Sequence, residues 1–343
     1  MASASGGQVS PTLMIISRTP LRVSFVGGGS DIEDFYRHEP GAVVSTALRK
    51  YIYITVNRKF DSQIRASYSV TEMVDSVDEV RHELIRECLR MRRIDGAIEI
   101  TSVSDIPSQG TGLGSSSSYT VGLLKALYAY GSQHVGAERL AREACEIEIE
   151  RCGKPIGKQD QYIAAYGGLQ YIEFNCDGTV FVEPILCSPS TRQRLESNLL
   201  LLYTGVTRSA NPILSEQKKN LANPHYREAL RTAVRLAAHL RDALRANDLC
   251  SFGEILHEGW IVKRSMAQGT TNTQIDRWYE VARANGAVGG KITGAGGGGF
   301  LLLYAPEELH PRICQALPEL RPVPVRFEPQ GARIVFIEEI DSD

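Results

Sequence analysis

At 343 residues, the chain is longer than a single hydrophobic core usually supports, so its length predicts two domains. A formal net charge of -2 gives no general attraction to nucleic acid or anionic lipid, and no run approaches the roughly 20 apolar residues that a transmembrane helix needs. Seven cysteines without a CxxC pair argue against a disulfide framework and a zinc site. We therefore expect a cytoplasmic protein with neither nucleic acid nor a membrane as a partner.

The chain opens on a polar segment. Residues 1–12 are small and polar and lack the basic and apolar regions of a signal peptide, so we expect a disordered tail. From Leu13 the sequence predicts a strand that ends at the glycines of 27–29, because Arg22 and Ser24 alternate there with apolar neighbours.

The remaining patterns predict an α+β protein. The first part of the chain predicts two β-rich stretches within 42–56, a helix within 75–92, a strand at 96–103, a loop at 105–114, helices at 115–130 and 137–152, and strands at 169–174 and 180–182. The second part predicts a strand at 199–203 and helices at about 212–247, 249–268 and 273–285. A strand, a glycine-rich loop and a second strand at 300–304 follow, and then a short helix from 306 and strands at 323–327 and 333–337. The change in pattern near residue 190 divides the chain into an N-terminal domain, 13–190, and a C-terminal domain, 191–343.

A glycine- and serine-rich segment at 107–118 is the most informative part of the sequence. Its glycines allow the backbone to approach a ligand closely, and the serines after them begin a helix whose free N–H groups and positive dipole end form an anion site. A flexible loop with a serine cap is the structural alternative, but four consecutive serines exceed what a cap requires. The predicted phosphate-binding residues are Gly110, Gly112, Leu113, Gly114, Ser115, Ser116, Ser117 and Ser118.

Two common nucleotide-binding motifs are excluded by their context. No GK[ST] sequence follows the glycines, so the segment is not a Walker A loop. Residues 294–299 match GxGxxG but lead into a predicted strand, whereas the dinucleotide fingerprint opens a helix.

Three segments, in order, resemble the motifs of the GHMP kinases, the superfamily of galactokinase, homoserine kinase, mevalonate kinase and phosphomevalonate kinase. They are TPLRVSFVGGGSD at 19–31, PSQGTGLGSSSS at 107–118 and KITGAGGGGF at 291–300. The resemblance covers residues 15–337 and implies an N-terminal domain like ribosomal protein S5 domain 2, a ferredoxin-like C-terminal domain, and ATP bound between them. Within the superfamily, segments 157–162 and 203–208 are similar to the bacterial heptose 7-phosphate kinases.

The resemblance implies a catalytic pair. Phosphoryl transfer needs positioning, neutralisation of charge and a group that accepts the hydroxyl proton. Asp160, in a predicted loop just after a helix, matches the acid that serves as base in galactokinase and mevalonate kinase. Taken alone, such an aspartate is more often a cap for the next turn. Arg22 matches the basic residue of the first motif, whose role is to lower the pKa of the acceptor hydroxyl or to stabilise the transferred charge.

The helix predicted at 137–152 indicates a metal ligand. At roughly 100° per residue, Glu148 shares the apolar stripe with Ala141, whereas Glu143 and Glu150 face the opposite, solvated side. A carboxylate on an apolar stripe is costly unless it is paired or bound to a metal. The predicted cofactors are ATP and Mg²⁺, and the predicted metal ligands are Glu148, Ser116 and Ser117. A buried salt bridge to a basic neighbour is the alternative for Glu148.

The substrate site is predicted from the resemblance and from charge. Asp31 matches the acid that binds sugar hydroxyls in galactokinase, but the preceding Gly-Gly-Ser replaces the Glu-His-Thr of that enzyme and argues against galactose. A terminal phosphate on the sugar needs fixed cations, for which Arg208 is the strongest candidate. The other candidates are Lys154, Lys158, Lys263 and Arg264. The predicted substrate-binding residues are Gly29, Ser30, Asp31, Lys158, Arg208, Gly296 and Gly297.

These features predict an ATP-dependent kinase that acts on the anomeric hydroxyl of D-glycero-D-manno-heptose 7-phosphate. The 1,7-bisphosphate product would serve the synthesis of nucleotide-activated heptose and surface polysaccharide. Another sugar 1-kinase, similar to fucokinase, is one alternative, and a catalytically silent GHMP-fold sensor of sugar and ATP is another. The presence of Asp160, Glu148 and the serines argues against the sensor. The sequence is compatible with a homodimer.

Overall fold

The computed structural model describes residues 12–107, 110–207 and 211–340. Its strands are β1 (Thr12–Val26), β2 (Gly41–Arg58), β3 (Ile64–Ser67), β4 (Thr71–Val74), β5 (Ile98–Ser104), β6 (Leu169–Phe174), β7 (Val180–Pro184), β8 (Leu199–Tyr203), β9 (Gly289–Ile292), β10 (Phe300–Tyr304), β11 (Arg321–Val323) and β12 (Arg333–Ile340). Its helices are α1 (Glu33–Tyr36), α2 (Glu83–Arg92), α3 (Ser115–Tyr130), α4 (Ala137–Cys145), α5 (Gln159–Tyr166), α6 (Pro189–Ser197), α7 (Asn211–Asn220), α8 (Pro224–Arg245), α9 (Leu249–Arg264), α10 (Thr273–Ala284) and α11 (His310–Ala316). The predicted tail lies outside these residues except for Thr12, which begins β1.

The first sheet has eight strands and is built on the long pair β1 and β2. The strand order is β12-β1-β2-β5-β3-β4, and β6 pairs with the first part of β2 and carries β7 on its other side. The two β-rich stretches predicted within 42–56 form one strand, β2, because the shift of register between Pro20 and Leu21 of β1 allows pairing to continue past the partially exposed Arg49 and Lys50.

Helix α3 lies in the middle of the N-terminal domain, with the bounds predicted from the sequence. It contacts β1 and β2 of the first sheet and the helices α2, α4 and α5. Apolar residues on most of its faces are buried, as expected of a helix that is covered by neighbours all round. Gly122 faces Thr19 of β1, and Ser17 Oγ donates a hydrogen bond to the Gly122 carbonyl at 2.8 Å.

The second sheet is antiparallel, with the order β11-β8-β10-β9. In chain order, its elements read strand, helices α7 to α10, two strands, helix α11 and a final strand, which is the ferredoxin-like arrangement. This sheet, together with the first domain, confirms the predicted α+β fold of two domains. The boundary near residue 190 stays a prediction, although β12, from the segment assigned to the second domain, pairs with β1 in the first sheet.

Several predicted elements differ in the structure. The helix within 75–92 is limited to α2, and a 3-10 turn precedes it at Val77–Glu79. The helix at 137–152 ends as an α-helix at Cys145 and continues as a wider π-helical turn over Glu146–Arg151. The strand at 323–327 is replaced by β11, since Pro324 lacks the N–H that a continuing ladder would need.

Further helices and strands had no sequence prediction or a different one. The helix at about 212–247 is divided into α7 and α8, since Pro224 starts a new helix after the Asn223 cap. The elements not predicted are α1, α5, α6, β3 and β4. Within the described ranges, no helix is long and apolar enough to cross a membrane.

We expect Gly122→Ala to destabilise the protein by about 1–3 kcal/mol, even though alanine favours helix formation. A Cβ at this position would lie 2.5 Å from the buried Thr19 Oγ1, so α3 would have to move away from β1. Urea unfolding followed by circular dichroism measures the change in the free energy of unfolding.

Gly131→Ala, at the end of the same helix, is the control. Its nearest neighbours would lie at 3.6 Å or beyond, and its backbone φ is negative, so we expect a change within about 0.5 kcal/mol. Equal effects from the two substitutions would contradict the close packing of α3 on β1.

Candidate active site

A cleft of about 520 Å³ lies where the three glycine-rich segments meet. Residues of all three line it, together with α5 and α9. The lining residues used below are Arg22, Gly29, Asp31, Gly110, Gly112, Gly114, Ser115, Ser116, Ser117, Lys154, Gln159, Asp160, Lys263, Lys291, Gly294 and Gly296.

The second and third segments approach each other through their backbones. A Cβ on Gly112 would lie 2.6 Å from the Thr293 carbonyl oxygen, and one on Gly294 would lie 2.5 Å from the Gly112 Cα. Both glycines also have φ in the left-handed region, at 75° and 63°. Only glycine therefore permits this contact, which brings the N terminus of α3 next to the C-terminal domain.

The N terminus of α3 forms one wall of the cleft. Gly114, the residue before the helix, has a φ of 74°, and Ser115, Ser116 and Ser117 line the cleft in the first turn. The described part of this turn contains no acidic residue, so its N–H groups and dipole remain suited to an anion. The phosphate-binding role of this segment stays a prediction, for which the turn supplies backbone N–H groups facing a cleft.

Two of the predicted phosphate-binding residues do not present side chains to the cleft. Leu113 is fully buried in the core, and its carbonyl accepts a hydrogen bond from the backbone N–H of Arg22 at 3.0 Å. Ser118 is also fully buried and donates its hydroxyl proton to the Pro20 carbonyl at 2.8 Å. Both side chains therefore fix the segment rather than contact a ligand.

Arg22 and Asp160 form a bidentate ion pair in the cleft. Arg22 Nε and Nη2 donate to the two carboxylate oxygens at 2.6 and 2.5 Å, and Nη1 donates to the Gly112 carbonyl at 2.6 Å. The Arg22 side chain is 7% exposed and that of Asp160 is 22% exposed. The guanidinium therefore holds the carboxylate in a fixed orientation while leaving part of it open to a ligand.

The structure corrects the local environment of Asp160. The sequence placed it in a loop, but it lies in the first turn of α5, an eight-residue helix that begins at Gln159. The Gln159 N–H donates to Asp31 Oδ2 at 3.2 Å, and the Gln159 side-chain amide donates to Asp31 Oδ1 at 3.0 Å. The start of the helix is thus fixed by the predicted sugar-binding acid.

Glu148 is fully buried beside the α3 serines. Its carboxylate accepts hydrogen bonds from Ser116 Oγ at 2.7 Å, Ser117 Oγ at 2.6 Å, Thr120 Oγ1 at 3.1 Å and Gln161 Nε2. The Lys154 ammonium lies 3.7 Å from the same carboxylate and donates to Ser116 Oγ at 3.1 Å. The structure therefore contains the contacts of both interpretations, a carboxylate next to serine hydroxyls and a buried ion pair.

The oxygens of this cluster suit Mg²⁺. The ion prefers carboxylate and hydroxyl oxygens, and takes one or two from the protein with the rest from phosphates and water. Glu148, Ser116 and Ser117 supply such oxygens in one cluster, and both serines line the cleft. No group of three or more His, Cys, Asp and Glu residues suited to a metal occurs in the described ranges, so any site here is a sparse one.

The predicted faces of this helix are correct for two glutamates and wrong for a third. Glu148 is buried and Glu150 is exposed. Glu143 is mostly buried, however, because its carboxylate accepts hydrogen bonds from the Tyr128 hydroxyl at 2.7 and 2.8 Å and from Arg139 at 2.8 Å. A helical wheel cannot show that a neighbouring tyrosine covers the polar face.

The residues that follow the first glycine turn differ in their exposure to the cleft. Asp31 is buried and lines the cleft, and its burial, together with the negative charge of Asp160, raises the pKa of its carboxyl against the hydrogen bonds from Gln159 and Gly29. Gly29 also lines the cleft, with a φ of 100°. Ser30 is fully buried, and among the described residues its hydroxyl bonds to backbone groups of Gly27 and Ala42, which gives it a role in the turn.

The other predicted substrate residues are only partly brought together. Gly296 lines the cleft, whereas the Gly297 N–H donates to the Thr270 carbonyl at 2.9 Å. The Lys158 ammonium donates to the Gly178 carbonyl at 2.9 Å and lies over the ring of Tyr36, away from the cleft. Arg208 lies outside the described residues.

Two further lysines lie in the cleft, and of these only Lys263 was among the cations that the sequence offered for the phosphate of the sugar. Lys291, in the third motif, is 5% exposed and donates to the carbonyls of Ser24 and Phe25 at 2.9 Å each. Lys263, near the end of α9, donates to the Gly294 carbonyl. Lys263 was one of several such candidates and could not be singled out, because a helix pattern does not show which lysine faces a cleft.

The comparisons with known proteins agree with this geometry. The sequence profile of the GHMP kinases N terminal domain matches residues 78–168, and that of the GHMP kinases C terminal domain matches 240–321. The chain has the two-domain α+β fold of this family, and it belongs to the GHMP kinases.

Among characterised relatives, the D-glycero-alpha-D-manno-heptose 7-phosphate kinase of Campylobacter jejuni is 30% identical over 318 residues, which cover 88% of this chain and 93% of that protein. A bifunctional fucokinase/GDP-fucose pyrophosphorylase of Arabidopsis thaliana is 25% identical over 84% of this chain, but only 29% of that protein. A structure described as a D-glycero-D-manno-heptose 1-phosphate kinase of Bacteroides thetaiotaomicron is 26% identical, with a TM-score of 0.77 over 96% of this chain and all of that one.

We expect Asp160→Asn to lower kcat by about two to four decades, the usual contribution of a positioned base. The amide cannot accept the acceptor proton, but it leaves the α3 wall unchanged, so the KM for ATP should stay close to that of the parent. Initial rates of ADP formation measure both quantities.

Asp177→Asn, at an exposed aspartate, is the control and should behave like the parent. Thermal unfolding of both variants checks that Arg22 tolerates the loss of its partner. A kcat for Asp160→Asn near that of the parent would show that the reaction needs no base at this position.

Proposed function

We propose that this protein is an ATP- and Mg²⁺-dependent sugar kinase that phosphorylates the anomeric hydroxyl of D-glycero-D-manno-heptose 7-phosphate to give the 1,7-bisphosphate. The observation that carries the proposal is the bidentate Arg22–Asp160 pair, which lies in the same cleft as the N terminus of α3. Phosphoryl transfer to a hydroxyl depends on positioned phosphates and is helped by a group that accepts the hydroxyl proton, and this cleft offers candidates for both.

The proposed step assigns a role to each residue of the cleft. The oxygen of the sugar's acceptor hydroxyl bonds to the terminal phosphorus of ATP, and Asp160 accepts the proton of that hydroxyl. The bond between this phosphorus and the oxygen that bridges it to ADP breaks, and ADP leaves. Arg22 holds Asp160 in position and offsets negative charge that develops beside it. The α3 N terminus and its serines orient the phosphates, and Asp31 accepts hydrogen bonds from sugar hydroxyls.

The metal enters the proposal through the residues that would hold it. Mg²⁺ would be held by Glu148 with Ser116 or Ser117, and when bound it neutralises phosphate charge. The cluster is supported by the burial of Glu148 against the two serine hydroxyls. Lys154, which contacts both Glu148 and Ser116, would balance the negative charge of the cluster.

The heptose substrate is favoured by the relatives. The Campylobacter protein, a heptose 7-phosphate kinase, aligns over nearly its whole length, whereas the fucokinase similarity covers less than a third of the Arabidopsis protein. The Bacteroides structure is described as a heptose 1-phosphate kinase, so the position that receives phosphate is the point to test. A place in the cytoplasmic synthesis of nucleotide-activated heptose for surface polysaccharide belongs to the same proposal.

We expect heptose 7-phosphate to give the highest kcat/KM in a panel that also contains heptose 1-phosphate, the unphosphorylated heptose and L-fucose. Product mass and phosphorus NMR identify the position of the new phosphate. Arg208→Ala should raise the KM for heptose 7-phosphate at least about tenfold, because a charge-assisted contact to phosphate contributes that much binding. It should leave the KM for ATP unchanged.

Arg277→Ala, at an exposed arginine of α10, is the control and should leave both constants unchanged. Preference for heptose 1-phosphate would reverse the order of phosphorylation. Preference for a neutral sugar, with no effect of Arg208→Ala, would favour the fucokinase-like alternative. Binding of ATP and sugar without turnover would favour the sensor.

We expect Glu148→Gln to raise the Mg²⁺ concentration needed for half-maximal rate and to lower kcat, because the amide removes the anionic oxygen offered to the metal. Initial rates over a Mg²⁺ titration at saturating ATP measure both effects.

Glu150→Gln, two residues further along the π-helical turn, changes an exposed carboxylate and should match the parent. If Glu148→Gln lowered stability without changing the Mg²⁺ dependence, Glu148 would act only as the partner of Lys154.

A further inference from the structure

Two lysines, Lys263 and Lys291, line the cleft beside the neutral Arg22–Asp160 ion pair. Asp160 is already held by two nitrogens of Arg22, and the described residues show no ion pair between a carboxylate and either Lys263 or Lys291. The two ammonium groups bond instead to backbone carbonyls. An uncompensated pair of ammonium groups in a ligand cleft favours an anion as the missing partner.

The surroundings of the two lysines penalise their charge when no anion is bound. Burial, followed by the positive charge of Arg22, lowers the pKa of Lys263 to about 7. Burial, followed by the charges of Lys263 and Arg22, lowers the pKa of Lys291 well below its ordinary value. The ionisable groups that face Lys263 are thus Arg22 on β1 and Lys291 on β9, with Asp160 on α5 held by Arg22.

The position of Lys263 indicates which anion it would bind. Its ammonium contacts Gly294, which packs against Gly112 of the phosphate segment. Gly112 in turn accepts a hydrogen bond from Arg22, so Lys263 lies next to the reacting centre. The 7-phosphate of a heptose is at the other end of the sugar from its anomeric hydroxyl. When that hydroxyl lies at Asp160, the 7-phosphate is therefore out of reach of Lys263.

We propose that Lys263 binds the phosphoryl group that is transferred, the terminal phosphate of ATP, from the α9 side of the cleft. The proposal rests on the proposed kinase function and adds to it a phosphate contact from the C-terminal domain. Lys291 is held by two carbonyls and has no part in this contact.

The site has a consequence for protons. A bound phosphate favours the ammonium form of Lys263, so at pH 7 and above, where the free group is partly neutral, binding takes up a proton. Below pH 7 the ammonium is already formed, and uptake by this group ceases. Affinity for the terminal phosphate should therefore fall as the pH rises above about 7.

Calorimetry with a non-hydrolysable ATP analogue and with ADP, each with Mg²⁺, tests the proposal. Lys263→Met should weaken binding of the analogue about tenfold or more and leave binding of ADP nearly unchanged. It should also lower kcat in equal measure for phosphorylated and neutral acceptors. Lys263→Arg, which cannot lose its proton, should retain much of the affinity but lose the dependence on pH and the proton uptake seen between buffers of different ionisation enthalpy.

The controls separate this contact from a structural effect. Lys219→Met, at an exposed lysine of α7, should match the parent throughout. Lys263→Met should be at least as stable as the parent in thermal unfolding, because methionine carries no charge to bury. A variant that binds ADP and unfolds like the parent is therefore a folded protein.

Three results would overturn the proposal. A rise in KM for the phosphorylated sugar alone would assign Lys263 to the acceptor's phosphate. Equal losses for ADP and the analogue would place it elsewhere on the nucleotide, and no loss would make it a structural lysine. Absence of turnover with every sugar would refute the proposed function, whereas the difference between analogue and ADP would still decide the role of Lys263.

Discussion

The structure depends on the contact between two glycine-rich backbones, at Gly112 and Gly294. A side chain at either position would overlap the backbone of the other segment. Because both positions are glycine, the start of α3, which belongs to the first domain, lies directly against a loop of the second sheet. Everything else in the cleft is arranged around this contact, since it brings Arg22 and Lys263 from different domains to the same place.

The contact also explains how charge is distributed in the site. The N terminus of α3 offers backbone N–H groups and a dipole to the cleft, and these need no counter-ion. Arg22 is neutralised by Asp160, which fixes a potential base, and Glu148 is satisfied by hydroxyl and amide donors together with Lys154. Lys263 and Lys291 have no such partner in the described residues. The cleft therefore suits a ligand that carries several negative charges.

Much of the fold and part of the site could be predicted from the sequence. Helix α3 has the predicted bounds because its glycines and serines mark the start and its apolar residues continue to Tyr130. The burial of Glu148 followed from helical spacing, although the helix widens into a π turn there. Asp160 was predicted by motif, but its helix was missed because its sequence shows no amphipathic pattern. Lys263 was one of several candidate cations and could not be singled out, since its place in the cleft depends on Gly294, which is distant in the chain.

The pairing of β12 with β1 has a consequence for how the protein is made. Ile16 pairs with Phe336, so the β1 edge of the first sheet stays unpaired during synthesis until β12 has emerged from the ribosome. During that time, β1 offers unpaired backbone groups to any neighbouring chain. Nascent chains that stall before residue 333 would accordingly depend on chaperones to keep that edge from aggregating.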